Sequence, residues 1–219
     1  PASLMREAMS IAAKHESIIR KSPEGVNALS KVRFWFVQQQ DDKFRQIKLE
    51  LPQARLEANL QNKLAMLKQL EKEFQSVASY GSGEWGLASM YQTASAYHHM
   101  AQTVLTAPVP SQLNGEQLEM YRQELNKQMI EPFNEKALSL AEQCLDKAQE
   151  LNILSSWTPR CYTLAGQFKK DRYPLARTFY LPANNLALIV PRESASKTEV
   201  GSVKQYSYPF YSSHVFQQP

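Results

Sequence analysis

The chain has 219 residues, 43% hydrophobic and 21% charged, with a formal net charge of +4 and a pI near 9.0. It carries material for one large domain or two small ones. No apolar run approaches the roughly 18 residues of a membrane span, and no Arg/Lys cluster interleaved with aromatics lies on one face, which argues against a nucleic-acid partner. Only seven glycines are present, and Ala, Leu, Gln, Glu and Lys are abundant, so helix is the expected state. The chain starts at Pro1 without an initiator Met, which reads as a processed or trimmed product whose signal peptide is out of view.

In chain order, Leu4 to Lys21 reads as an amphipathic helix with Leu4, Ala8, Ile11, Ala12, Ile18 and Ile19 apolar, closed by Ser22-Pro23. Val26 to Leu51 reads as a second helix, stopped by Pro52. Ala54 to Tyr80 gives the cleanest pattern. Leu56, Leu60, Leu64, Leu67, Leu70, Phe74 and Val77 recur at steps of three and four, a coiled-coil-like stripe expected to be core. Gly81-Ser82-Gly83 supplies its glycine stop.

Glu84 to Leu105 follows, with Leu87, Met90, Tyr91, Ala94, Tyr97 and Ala101 on one helical face. Ala94, one turn from Tyr97, is a small contact point beside an aromatic plug, the arrangement by which helix pairs approach closely; Gln92 is expected at the surface. After the APVP segment, Asn114 with Gln117 three residues on has capping-box spacing. The long helix it starts is expected to run to Leu151, broken or bent at Pro132. Its later face repeats the small-residue pattern with Ala141, Leu145, Ala148 and Leu151. Asn152 to Ser155 forms a turn, and Ser156 to Phe168 the last helix. From residue 171 prolines, β-branched clusters and Tyr/Phe-rich segments replace helical periodicity, so 171–219 reads as an extended, irregular tail. Within it, Leu186, Leu188, Val190 and the aromatic group Tyr206, Tyr208, Phe210 and Tyr211 are expected to be covered by docking.

Candidate chemistry is sparse. His98 and His99 are adjacent and point about 100° apart on a helix, with no HExxH motif and no second His one turn away, so packing or surface roles are expected and no metal site is assigned. No GxSxG elbow and no phosphate loop in a strand-to-helix context occur. Glu116, Glu119, Glu124 and Glu131 read as a solvated face. No catalytic residue and no cofactor are assigned. Cys144 and Cys161 lie nine residues before and eight after Ile153, at the same height on two antiparallel helices. They are either an interhelical disulfide, which fits an oxidising compartment, or two small buried thiols.

The segments FRQIKLELP, KLAMLKQLEKEFQSVASYGSGEWGLASMYQTASAYHHMAQTVLTAPVP, LNGEQLEMYRQEL and KALSLAEQCLDKAQELNILSSWTPRC resemble the tetratricopeptide-like region of cell-envelope proteins from predatory and gliding delta-proteobacteria. The resemblance spans roughly residues 44–168 and rests on Trp85 after a glycine turn, Tyr91 and Tyr97, Ala107-Pro108-Val109-Pro110, Tyr121-Arg122, Lys136-Ala137, and Leu151-Asn152 before Trp157. The 34-residue repeat is met by only one good second helix, Ala141 to Leu151, and the preceding helix is longer than a repeat helix. The resemblance implies a repeat-derived helical scaffold whose exposed face receives a partner.

Together these readings predict an all-α fold of stacked antiparallel helix pairs. Residues 1–170 form the helical domain (1–80 N-terminal helices, 83–170 tetratricopeptide-like) and 171–219 the tail. The expected function is non-enzymatic protein–protein interaction in a bacterial periplasmic or cell-envelope assembly, with Trp85, Tyr91, Ala94, Tyr97 and Tyr121 as packing or groove residues. The alternatives are a self-assembling subunit that forms homo-oligomers through its tail, or an unrecognised hydrolase or small-molecule-binding protein.

Overall fold

The structure is a computed structural model that describes residues 2–109 and 112–174. Helices α1 (Ala2–Ile19), α2 (Pro23–Gln46), α3 (Gln53–Ala78), α4 (Gly83–Leu105), α5 (Gly115–Leu125), α6 (Glu131–Glu150) and α7 (Thr158–Phe168) follow one another, with a π turn, Asn126–Ile130, joining α5 to α6. No strand occurs among the described residues, and no helix among them is long and apolar enough to cross a membrane. These helices lie in one compact unit, Pro1–Tyr173. The tail segments expected to dock lie outside the described residues.

The helix ends follow local chemistry. Ser22 caps α2 by accepting from Gly25 N at 3.0 Å, with Pro23 in the first turn. Helix α2 therefore starts three residues before the expected Val26. It also stops at Gln46 instead of Leu51. Ile47 leaves the helix at φ −69°, ψ 115°, and Leu51, preceding Pro52, is sterically biased away from the α region. Gly81 ends α3 at φ +90°, a left-handed backbone that glycine adopts without strain.

Asn114 and Gln117 form the full capping box of α5, with reciprocal bonds of 2.9 and 3.1 Å. The expected break at Pro132 takes the form of a widened turn just before it, in which Glu131 N–H reaches back five residues to Asn126 O. Asn152, at φ 51°, closes α6 in a Schellman pair: its N–H bonds Gln149 O at 3.1 Å and Ile153 N–H bonds Ala148 O at 3.0 Å. That turn aims Ile153 at α4, where a Cβ on Gly83 would stand 2.1 Å from Ile153 Cδ1.

The main core sits where α2, α3 and α4 meet, and α6 packs with α4 and α7 in two smaller clusters. Phe34, Phe74 and Trp85 interlock with Trp157, Phe34 lying 5.1–5.7 Å from each of the other three rings. Contacts fix the directions. Lys63 meets His99 while Glu71 meets Tyr97, so α3 and α4 are antiparallel; Cys144 meets Leu87 while Asn134 meets His98, so α4 and α6 are too. Helix α2 runs parallel to α4, with Phe34 beside Trp85 and Arg45 beside Ser95.

Two expectations of burial are corrected. The apolar residues of α1 are split: Leu4, Ile11 and Ile18 are 52–69% exposed while Ala12 is buried. Leu4 and Ile11, seven apart, share one face, and the helix kinks at His15 (φ −123°, ψ 21°) before Ile18. Gln92, expected at the surface, is 7% exposed, on the side of α4 that faces its neighbours.

Candidate interaction surface

Trp85, Tyr91, Ala94 and Tyr97 sit between helices. Ala94 is fully buried against Ala141, Leu164 and Ala165, where α4, α6 and α7 come close. Tyr91 stacks at 5.7 Å from Trp157. Tyr97 donates to Glu71 Oε2 at 2.8 Å, Lys136 pairs with Glu71 Oε1 at 3.2 Å, and Phe133 lies 6.1 Å from the Tyr97 ring. Burial and the adjacent carboxylate of Glu71 push the Tyr97 phenol well above its usual range. These residues hold α3, α4 and α6 together. Tyr121 is different: it stands on α5 at 37% exposure.

A buried polar knot joins α2, α3 and α4. Lys63 is fully buried, and its ammonium donates to Phe44 O at 2.9 Å and Ile47 O at 2.8 Å and lies 3.1 Å from His99 Nε2. The lysine thus caps the carbonyl end of α2 and uses all three of its donors. Burial, with the Arg45 charge adding to it, lowers Lys63 to about 8. Burial and the charges of Lys63 and Arg45 lower His99 to about 4, so neutral His99 is the acceptor. Asp41, 1% exposed, accepts from Arg45 Nε at 2.8 Å, and burial outweighs that pairing to raise its carboxyl. Sequence reading missed this knot. Its signal was the heptad frame: Leu56, Lys63, Leu70 and Val77 are seven apart, so Lys63 occupies a core position of the stripe.

Acidification should weaken the knot. His99 has a folded pKa below its unfolded value near 6.5, so the unfolded chain binds its proton first and stability falls as pH drops from about 6.5 to about 4. Asp41 opposes this at the acid end, since its raised carboxyl favours the folded state on protonation. The expected loss from His99 is on the order of 2 kcal/mol, allowing for its partial exposure. Denaturant melts of wild type and His99→Gln should show a shallower fall in the variant; equal slopes would place the acid sensitivity elsewhere.

Cys144 and Cys161 are joined in a disulfide, both fully buried, with Cα atoms 6.3 Å apart. It pins α7 to α6, and Glu142 reinforces the join by accepting from Lys169 at 3.0 Å, Tyr173 at 3.1 Å and Arg172 at 3.3 Å. Burial raises the Glu142 carboxyl, but these hydrogen bonds and the two cationic charges outweigh it and hold it below its usual range. Closing a 17-residue separation is worth about 3 kcal/mol by loop entropy. The short turn already keeps these helices adjacent, so reduction should cost at most about 2 kcal/mol and leave far-ultraviolet circular dichroism unchanged. A melting temperature insensitive to reductant would refute this.

Two surfaces remain open. The first is α5: none of its residues is buried, and among the described residues its backbone approaches no other α-helix, only the π turn that continues it. Leu118, Tyr121 and Leu125 fall on one stripe, with Leu125 partly packed on the core and Met120 57% exposed. Glu116, Glu119 and Glu124 outnumber Arg122, giving α5 an acidic surplus, and all four are exposed.

The second is an open groove of about 490 Å³ between α1, α2 and α3, with Met9, Phe36, Val37 and Val77 as apolar lining and Arg33 and Glu73 as its charged groups. Glu73 is engaged on both oxygens, by Gln40 at 2.7 Å and Gln69 at 2.6 Å. Arg33 is exposed and pairs with no described residue. Among the described residues no group of three or more His, Cys, Asp or Glu side chains gathers as metal ligands. No known protein family, no curated protein and no solved structure matches this chain.

Proposed function

We propose that this chain is a non-enzymatic protein–protein interaction scaffold of a bacterial cell-envelope assembly, built on stacked helix pairs of tetratricopeptide-like descent. The observation that carries the reading is α5, a helix with a complete capping box that buries none of its own residues. The helix continues through the π turn into α6 and has no other α-helix beside it among the described residues, and a helix that keeps Leu118 and Tyr121 on a single stripe is suited to a partner's groove. The antiparallel contacts of α3 with α4 and α4 with α6 support a stacked-pair ancestry. The buried Cys144–Cys161 disulfide supports an oxidising compartment, the periplasm or cell envelope.

The test is affinity capture of cross-linked native partners by the intact chain and by a Leu118→Ser/Tyr121→Ser variant. Specific proteins should be retained by the former and lost by the latter. Identical captures from both would overturn the reading of α5 as the interaction element.

A further inference from the structure

We propose that the occupant of the α1/α2/α3 groove is the α5 arm of a second copy of this chain, so that the protein assembles head to tail. This rests on the reading of α5 as an interaction element and names its partner. Three observations carry it. The arm is about 16 Å long at 1.5 Å per residue, and within its own chain its backbone approaches no other α-helix among the described residues. It presents Leu118 and Tyr121 one turn apart, an anchor pair that matches the apolar lining of Met9, Phe36, Val37 and Val77 in a groove of about 490 Å³.

The charged groups can also pair. The groove carries one charge of each sign, Arg33 and Glu73. The Arg33 guanidinium has no described partner, while Glu73 keeps its negative charge and already accepts from Gln40 and Gln69, so Arg33 is the groove's open charged donor. The arm carries the acidic surplus of Glu116, Glu119 and Glu124 over Arg122. An arginine fork and a carboxylate make a directed, charge-assisted contact at the rim of an apolar seat. Arm and groove are different surfaces of the same chain, so the contact is heterologous. It leaves one free arm and one free groove in every dimer, and assembly continues into open chains or closes as a ring.

Sedimentation velocity on the full chain tests this. Wild type should show a mass that rises with concentration above the 25.0 kDa chain and passes beyond the dimer. Tyr121→Glu, which spoils the arm, and Arg33→Glu, which spoils the groove, should each remain at the chain mass; both positions are exposed, and unchanged thermal melts verify the fold. Mixed in equal amounts, the two variants should form a one-to-one heterodimer and nothing larger, since only the groove of the first and the arm of the second are intact. A wild type that stays at the chain mass up to the highest concentration, or an assembling wild type whose mixed variants do not pair, overturns the proposal. If the wild type stays monomeric while cross-linked capture still depends on Leu118 and Tyr121, the self-docking fails and the interaction reading survives. If neither assay depends on the arm, both fail.

Discussion

Leu67→Ala should lower stability by about 2–5 kcal/mol, and Leu64→Ala, three residues away, by less than half as much. Both leucines belong to the stripe expected from the sequence, yet Leu67 is 2% exposed and Leu64 only partly buried. The difference comes from register. The buried row of α3 is Leu56, Lys63, Leu67, Leu70, Phe74 and Val77, with Leu60 partly buried, which keeps steps of four and three without interruption. Leu64 is one position off that row, about 100° around the helix, and so lies at its edge. Truncating Leu67 leaves a void in the core cluster that also holds Phe34, Phe74 and Met100, and the transfer and cavity terms add. Urea unfolding of the two variants decides it: equal losses would mean that α3 is rotated relative to the packing described above.

Lys63→Met should cost about 2–4 kcal/mol even though methionine is the more apolar residue. The substitution strips Ile47 O of its donor and leaves His99 Nε2 only the longer Thr103 contact at 3.4 Å, and each orphaned group costs about 1–3 kcal/mol. Phe44 O keeps the Ile47 N–H bond at 3.3 Å. Relief of the ammonium's desolvation offsets part of the loss. The pH dependence separates this from simple packing. Lys63 has its folded pKa lowered from 10.5 to about 8, so between those values the unfolded chain holds the extra proton and stability rises with pH. Wild type should therefore gain stability from about pH 8 toward 10.5, and Lys63→Met should lack that gain. A variant as stable as wild type at pH 7, or one with the same alkaline rise, would show that the lysine does not support the end of α2.

The groups that local chemistry governs were legible without coordinates. Asn114 and Gln117 announce a helix start because a short polar side chain and a glutamine three residues later can satisfy each other's backbone donors. Gly81 marks a stop because few other residues accept its backbone angle. Cys144 and Cys161 were placed at equal height by counting from the turn, and the structure joins them. The all-helical state of the described residues follows from periodicity and few glycines, both properties of neighbouring residues.

What lies between helices required the tertiary structure. Lys63 reads as a surface lysine by residue type, and only the arrival of the α2 carbonyl end and His99 from α4 makes its burial tolerable, by taking all three donors. Tyr97 and Tyr121 look alike as aromatic positions on helical faces. Packing puts one against Glu71, Phe133 and Lys136 and leaves the other on a helix that no other α-helix approaches. The Arg33 groove joins residues more than sixty apart in sequence, a juxtaposition that no window of periodicity contains. Sequence by itself determined where this chain becomes helical, because capping, turn chemistry and apolar spacing act within a few residues. Which faces are filled and which are left for a partner was decided by the packing of whole helices, because burial depends on groups brought together from distant positions.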